Sequence, residues 1–135
     1  MILRNTSVMR VNVCIAVGAE QVTIDSAPVI QTVAGSSMNL SCVASPSRPP
    51  VKVTWHSSLQ NEATTTQNEG TWTYSTVLAD KKRYNVTSVL MIRANRTDNE
   101  RVYRCSVIND AMTTPVSAAV QLTVHCKTIS FILFN

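Results

Sequence analysis

The sequence predicts an all-β protein folded as a two-sheet antiparallel sandwich, and three observations carry that prediction. Between Glu20 and His125, short segments of alternating apolar and polar residues are separated by Ser, Pro, Asn and Gly, with no sustained helical periodicity. The 135 residues suit one domain with a buried core and are too few for two domains with linkers. The composition, 44% hydrophobic and 15% charged with abundant Val, Thr and Ser and only three Gly, excludes disordered and collagen-like chains.

Seven strands follow in order, over residues 22–33, 38–44, 51–57, 71–78, 84–93, 102–108 and 116–125. The polar stretch 58–70 carries no clear pattern. Side chains alternate across a strand, so each segment sorts into an inner and an outer set. Met38, Leu40 and Cys42 share an inner face, as do Val51, Val53 and Trp55 in the next strand. Leu90 with Ile92, Tyr103 with Cys105 and Val107, and Val120 with Leu122 and Val124 complete the predicted core. Cys42 and Cys105 therefore face the same interior, with Trp55 13 positions after the first.

That Cys, Trp, Cys order, with Tyr103 two residues before the second cysteine, is the hallmark of immunoglobulin domains. The stretches CVASPSRPPVKVTW and TSVLMIRANRTDNERVYRC resemble the intermediate constant-type domains of nectins, nephrin and its Kirre-like partners. Leu90, Ile92, Ala94, Arg96 and Asp98 occupy the positions of that subgroup's L-x-[FI]-x-[VA]-x-R-x-D pattern. The resemblance covers about four fifths of the chain. It implies a Greek-key sandwich whose sheets are joined by a Cys42–Cys105 disulfide, formed in an oxidising compartment and packed on Trp55. Two positions depart from the family: Asn99 stands for the aspartate four residues before the tyrosine, and Glu100 for the glycine that follows it. The turn geometry there is the part of the resemblance in question.

The two ends fall outside the pattern. In residues 1–19, Arg4 and Arg10 precede an apolar run ending in Val17 and Ala19, which reads as a signal peptide cut before Glu20. Asn12 interrupts that run, and an exon fragment or the tail of a preceding domain is the alternative. Residues 127–135 form a short apolar tail, shorter than the roughly 20 residues that span a bilayer. Either the protein ends there or a membrane segment or another exon follows. Cys14 and Cys126 would sit at opposite poles, which disfavours a bridge between them. The preferred reading is that Cys126 is a buried cysteine or an artefact of how the chain end was drawn; the alternative is an odd thiol that pairs between chains.

Several function classes are excluded or disfavoured. The four cysteines include no C-x-x-C pair, and His56 and His125 have no ligand-like spacing to them, so no metal or other cofactor is expected. No nucleophile elbow or phosphate loop accompanies the histidines, so no enzyme is expected. The net charge of +4 is scattered except for the run Lys81, Lys82, Arg83, without interleaved aromatic residues, which disfavours nucleic acid and leaves room only for weak attraction to acidic glycans.

The outer sets indicate a functional side. N-x-S/T sequons occur at Asn5, Asn39, Asn85 and Asn95. Asn39, Ser41 and Val43 face out on the second strand, and Asn85, Thr87, Val89 and Met91 on the fifth; glycans at Asn39, Asn85 and Asn95 would shield that sheet. The other sheet carries no sequon. It presents Lys52, Thr54 and His56 beside Arg104, Ser106 and Ile108, with Gln121 and Thr123 on the last strand, and these eight residues are the expected protein-binding face. The resemblance implies an extracellular adhesion or recognition module, alone or within a multi-domain receptor, that contacts another immunoglobulin-superfamily protein, homophilically or heterophilically. A secreted ligand or decoy and a structural spacer are the alternatives, since the fold alone does not choose among them.

Overall fold

The computed structural model describes residues 16–25 and 28–126. Within them, nine strands form two sheets. The first has the order β1 (Val22–Ile24), β3 (Ser37–Ser47), β7 (Tyr84–Arg93), β6 (Thr71–Val77). The second has the order β2 (Val29–Val33), β9 (Val116–His125), β8 (Val102–Ile108), β4 (Lys52–Ser58), β5 (Thr65–Thr66). The fold is the expected all-β sandwich. The strands expected at 84–93, 102–108 and 116–125 have those bounds.

The first expected strand, 22–33, is instead two strands in different sheets. β1 pairs antiparallel with β3, whereas β2 runs parallel to β9, Val29 opposite Gln121 through Val33 opposite His125. Pro28 lies at the switch: it has no N–H to give a ladder, but its carbonyl accepts from the Gln121 N–H at 2.9 Å and so starts the new pairing. One short segment thereby closes an edge of each sheet. Strand β3 also outruns its expected end at Ala44, passing a register shift between Ala44 and Ser47. The Ser45 hydroxyl within that irregularity accepts from the N–H groups of Glu20 and Gln21 at 2.7 and 3.1 Å. The unpatterned stretch 58–70 contains β5, which pairs with His56 and Ser57 of β4.

Residues 17–21, which straddle the expected cleavage point before Glu20, lie against this end of the sandwich. Val17 and Arg48 exchange two backbone bonds of 2.6 and 2.8 Å, the Asn109 side chain donates to the Val17 carbonyl at 2.8 Å, and Ala19 is buried. Residues 1–15 of the expected leader, including Cys14 and the sequon at Asn5, lie outside the described residues, as does the 127–135 tail.

The core follows the predicted alternation. Leu40, Cys42, Leu90 and Ile92 of the first sheet meet Trp55, Tyr103, Cys105, Val107, Val120, Leu122 and Val124 of the second, all buried. Met38 and Val53, also expected inside, are half-buried and pack at the rim of this cluster. Cys42 and Cys105 are disulfide-bonded, with Cα atoms 6.4 Å apart. The reading of Cys126 as buried needs correction: it is a free, exposed thiol, because it follows the last ladder residue of β9, where the chain leaves the sheet.

The turn before β8 explains both departures at Asn99 and Glu100. Glu100 has φ of +69°, the left-handed region that glycine occupies without steric cost. The turn nevertheless closes tightly. The Glu100 N–H donates to the Leu122 carbonyl at 2.8 Å, Leu122 N–H to the Arg101 carbonyl at 2.8 Å, and the Asn99 side chain accepts from Val124 N–H at 2.9 Å. Asp98 supports it from below, accepting from Asn95 N–H and from the Arg101 guanidinium, each at 2.9 Å. Glu100→Gly is expected to stabilise the domain by about 0.5 to 1 kcal/mol, the relief of left-handed backbone less the added entropy of the unfolded chain, read as a higher urea midpoint at unchanged slope.

Candidate protein-binding face

All eight residues expected to form the binding face lie on the outer side of the second sheet. The β4–β8 ladder sets Lys52 opposite Ile108, Thr54 opposite Ser106 and His56 opposite Arg104. Strand β9 extends these rows, with Ser117 opposite Ser106 and Ala119 opposite Arg104, and the Arg104 guanidinium donates to the Ser117 hydroxyl at 3.3 Å. Gln121 and Thr123 lie further along, opposite Val29 and Gln31 of β2, so the eight residues form one band that widens toward that edge. Lys52, Arg104 and Gln121 are exposed, whereas Thr54, His56, Ser106, Ile108 and Thr123 are half-buried. The His56 ring nitrogen Nδ1 lies 3.4 Å from the Thr66 hydroxyl of the edge strand β5.

The charge of this face is one-sided. Its strand positions carry Lys52 and Arg104, yet β2, β4, β5, β8 and β9 contain no Asp or Glu. Among the described residues the side-chain salt bridges are Arg83 with Asp80 and Arg101 with Asp98, so neither cation of the face is neutralised by an ion pair. A face of this kind favours an acidic counterpart. The basic run at Lys81, Lys82 and Arg83 lies elsewhere, in the β6–β7 loop. There the Lys82 N–H, then the Arg83 side chain, hold the Asp80 carboxyl below its ordinary range. All three cations of the loop are exposed, and Lys81 and Lys82 are the two outside the Arg83–Asp80 ion pair.

Trp55 and Tyr103 belong to the interior. Trp55 stands opposite Cys105 in the ladder and is 2% exposed, and burial pushes the Tyr103 phenol upward, with the Asp98 carboxylate adding to the effect. Sequence reasoning missed the partner of Trp55. Its indole N–H donates 3.0 Å to the hydroxyl of Ser88 on β7, which also accepts from the Thr73 hydroxyl of β6 at 2.9 Å. The signal was a serine among the inner positions Val86, Leu90 and Ile92 of the same strand.

The first sheet holds the sequons and a feature the sequence did not reveal. Asn39 and Asn85 lie on its outer side, as expected, and Asn95 is exposed just before the turn Arg96–Asp98. The same outer side displays Val43, Met91, Trp72 and Tyr74, of which Trp72 is 46% and Tyr74 53% exposed. Val89, expected to face solvent, is on this side but buried, being flanked in the ladder by Ser41 and the Trp72 indole. Among the described residues no group of three His, Cys, Asp or Glu could share a metal ion, and no helix is long and apolar enough to cross a membrane.

Comparison with known proteins agrees with this geometry. A model of the CD80-like C2-set immunoglobulin domain matches residues 22–127. The chain is similar to Kin of IRRE-like protein 1 of Rattus norvegicus, 31% identical over 116 residues, and to the Homo sapiens protein of that name, 30% identical over the same length. Each match covers 86% of this chain and 14% of the relative, so the chain spans a small part of these longer proteins. Among solved structures, the sandwich resembles Rst D1-D2, with a TM-score of 0.75 at 23% identity over 82% of this chain and 51% of that one. It also resembles the mouse nectin-like molecule 4 ectodomain, with a TM-score of 0.65 at 20% identity over 82% of this chain and 35% of that one. A model match that spans the whole sandwich, its disulfide and its buried tryptophan establishes that the chain belongs to the CD80-like C2-set immunoglobulin domain family.

Proposed function

We propose that the chain is an extracellular recognition module that binds another immunoglobulin-superfamily protein through the outer face of β4, β8 and β9. The observation that carries this reading is the sequon-free face with two cations outside any ion pair and no acidic residue on its strands, set back to back with the sheet that holds Asn39 and Asn85. The disulfide supports an oxidising, extracellular setting. Likeness to Kin of IRRE-like protein 1 supports a role in cell-cell adhesion within a longer multi-domain receptor, with this chain as one module. Contact with acidic glycans is a weaker use of the same charge.

The test is charge reversal. Lys52→Glu with Arg104→Glu is expected to weaken binding at least about tenfold, mainly through slower association and with a reduced salt dependence. Bead aggregation and surface binding assays would use the chain itself and human Kin of IRRE-like protein 1 as probes. Binding by the double variant equal to that of the parent would exclude this face, and parent binding abolished by free heparin would point to glycan rather than protein.

A further inference from the structure

The outer side of the first sheet has an apolar rank and two sequons in one register. Successive rows across β3, β7 and β6 read Asn39–Met91, then Ser41–Val89–Trp72, then Val43–Thr87–Tyr74, with Asn85–Thr76 closing the set. Asn85 is therefore the diagonal neighbour of Tyr74, about 7 to 8 Å away in an antiparallel sheet. Asn39 is directly opposite Met91 at the other end of the rank. The exposed apolar residues, Val43 on β3, Met91 on β7 and Trp72 and Tyr74 on β6, fall in the rows from that of Asn39 to the one next to Asn85. Asn85 also lines a shallow depression of about 240 Å³ with Thr23, Val43 and Pro46.

We propose that N-linked glycans on Asn39 and Asn85 are held against this sheet, with Trp72 and Tyr74 as their stacking platforms, so that the apolar rank is covered by the domain's own sugar. The inference rests on the extracellular setting proposed above and concerns the opposite sheet. An aromatic ring presents an electron-rich face, and the C–H groups on one side of a pyranose ring are its natural complement. A protein docking on this rank would have to pass two branched saccharides rooted at its ends, whereas saccharides rooted there reach it at no cost in association. In the attachment step the side-chain amide nitrogen of the asparagine attacks the anomeric carbon of the first N-acetylglucosamine of a lipid-linked oligosaccharide. The new C–N bond replaces the C–O bond to the lipid diphosphate, which leaves with the electron pair as the amide nitrogen loses a proton. Ser41 and Thr87 supply the hydroxyl that each sequon requires.

The experiment uses the full chain secreted from a eukaryotic host. Peptide mass spectrometry reads occupancy, and the folded protein is then trimmed with an endoglycosidase. Trp55 is buried, so acrylamide-quenchable emission reports on Trp72. Occupied Asn39 and Asn85, a melting temperature lowered by roughly 4 °C on trimming, and increased quenching are the expected results. In a Trp72→Ser, Tyr74→Ser variant, the drop on trimming should largely disappear. Vacant sites in a secreted protein, unchanged melting and quenching after trimming, or a full drop persisting without the two aromatic residues would each overturn the proposal. Failure of secretion itself would instead strike the extracellular reading on which it rests.

Discussion

Replacing Cys42 and Cys105 together by alanine should lower the unfolding free energy by about 4 kcal/mol, the denatured-state entropy released when a cross-link spanning 63 positions is removed. The domain has little room for such a loss, because a typical net stability is about 5 to 15 kcal/mol. Both cysteines are at the centre of the interior, 1% and 0% exposed, and each joins a central strand of its sheet, β3 in one and β8 in the other. Removing the pair therefore also leaves small voids beside Leu40 and Trp55, which adds to the entropic effect. Urea unfolding of parent and variant gives the measurement, with an unchanged slope showing that the same surface is exposed. A loss under about 1 kcal/mol would mean that packing alone holds the sheets together and that the cross-link hardly restricts the unfolded chain.

The sequence made the centre of each sheet legible because two independent signals coincide there. Strands β7, β8 and β9 are bounded by turn residues, so their limits could be read directly, and alternation in β3, β4 and β8 gave the convergence of Cys42, Trp55 and Cys105; in β7 the apolar run from Val89 to Ile92 blurred the two faces. Edges were less legible, since what an edge strand pairs with depends on partners far along the chain. A continuous pattern over 22–33 concealed a change of sheet at Pro28, and Ser-Pro-Ser after Ala44 resembled a turn although β3 continues through it. Strand β6 inverts the usual pattern: Trp72 and Tyr74 face out, while Thr71 and Thr73 face in and line the opening between the sheets with Thr66, Gln67 and Ser88. Periodicity showed that its two faces differ but could not say which was inner. The eight residues of the expected binding face could be assigned to the outer side of the second sheet by parity alone, since a residue's side of a sheet is fixed once one inner neighbour is known.

The inverted facing of β6 has an energetic reason, and it makes the last prediction. Thr73 and Trp55 both donate to Ser88, so one buried hydroxyl links β4 of the second sheet to β7 and β6 of the first. Trp55→Ala is expected to cost about 3 to 5 kcal/mol through the cavity it leaves. Ser88→Ala should cost about 1 to 3 kcal/mol, because the indole N–H is then buried without an acceptor. The two effects should not add. In a Trp55→Phe background there is no indole N–H to strand, so Ser88→Ala should cost less by about 1 kcal/mol, a coupling that a double-mutant cycle in urea would measure directly. Additive losses would show that the Ser88 hydroxyl serves only Thr73 and that the tryptophan is held by packing alone. Coupling would make this bond a second tie between the sheets beside the disulfide, fixing strand β4, whose outer side carries Lys52, Thr54 and His56, against the core.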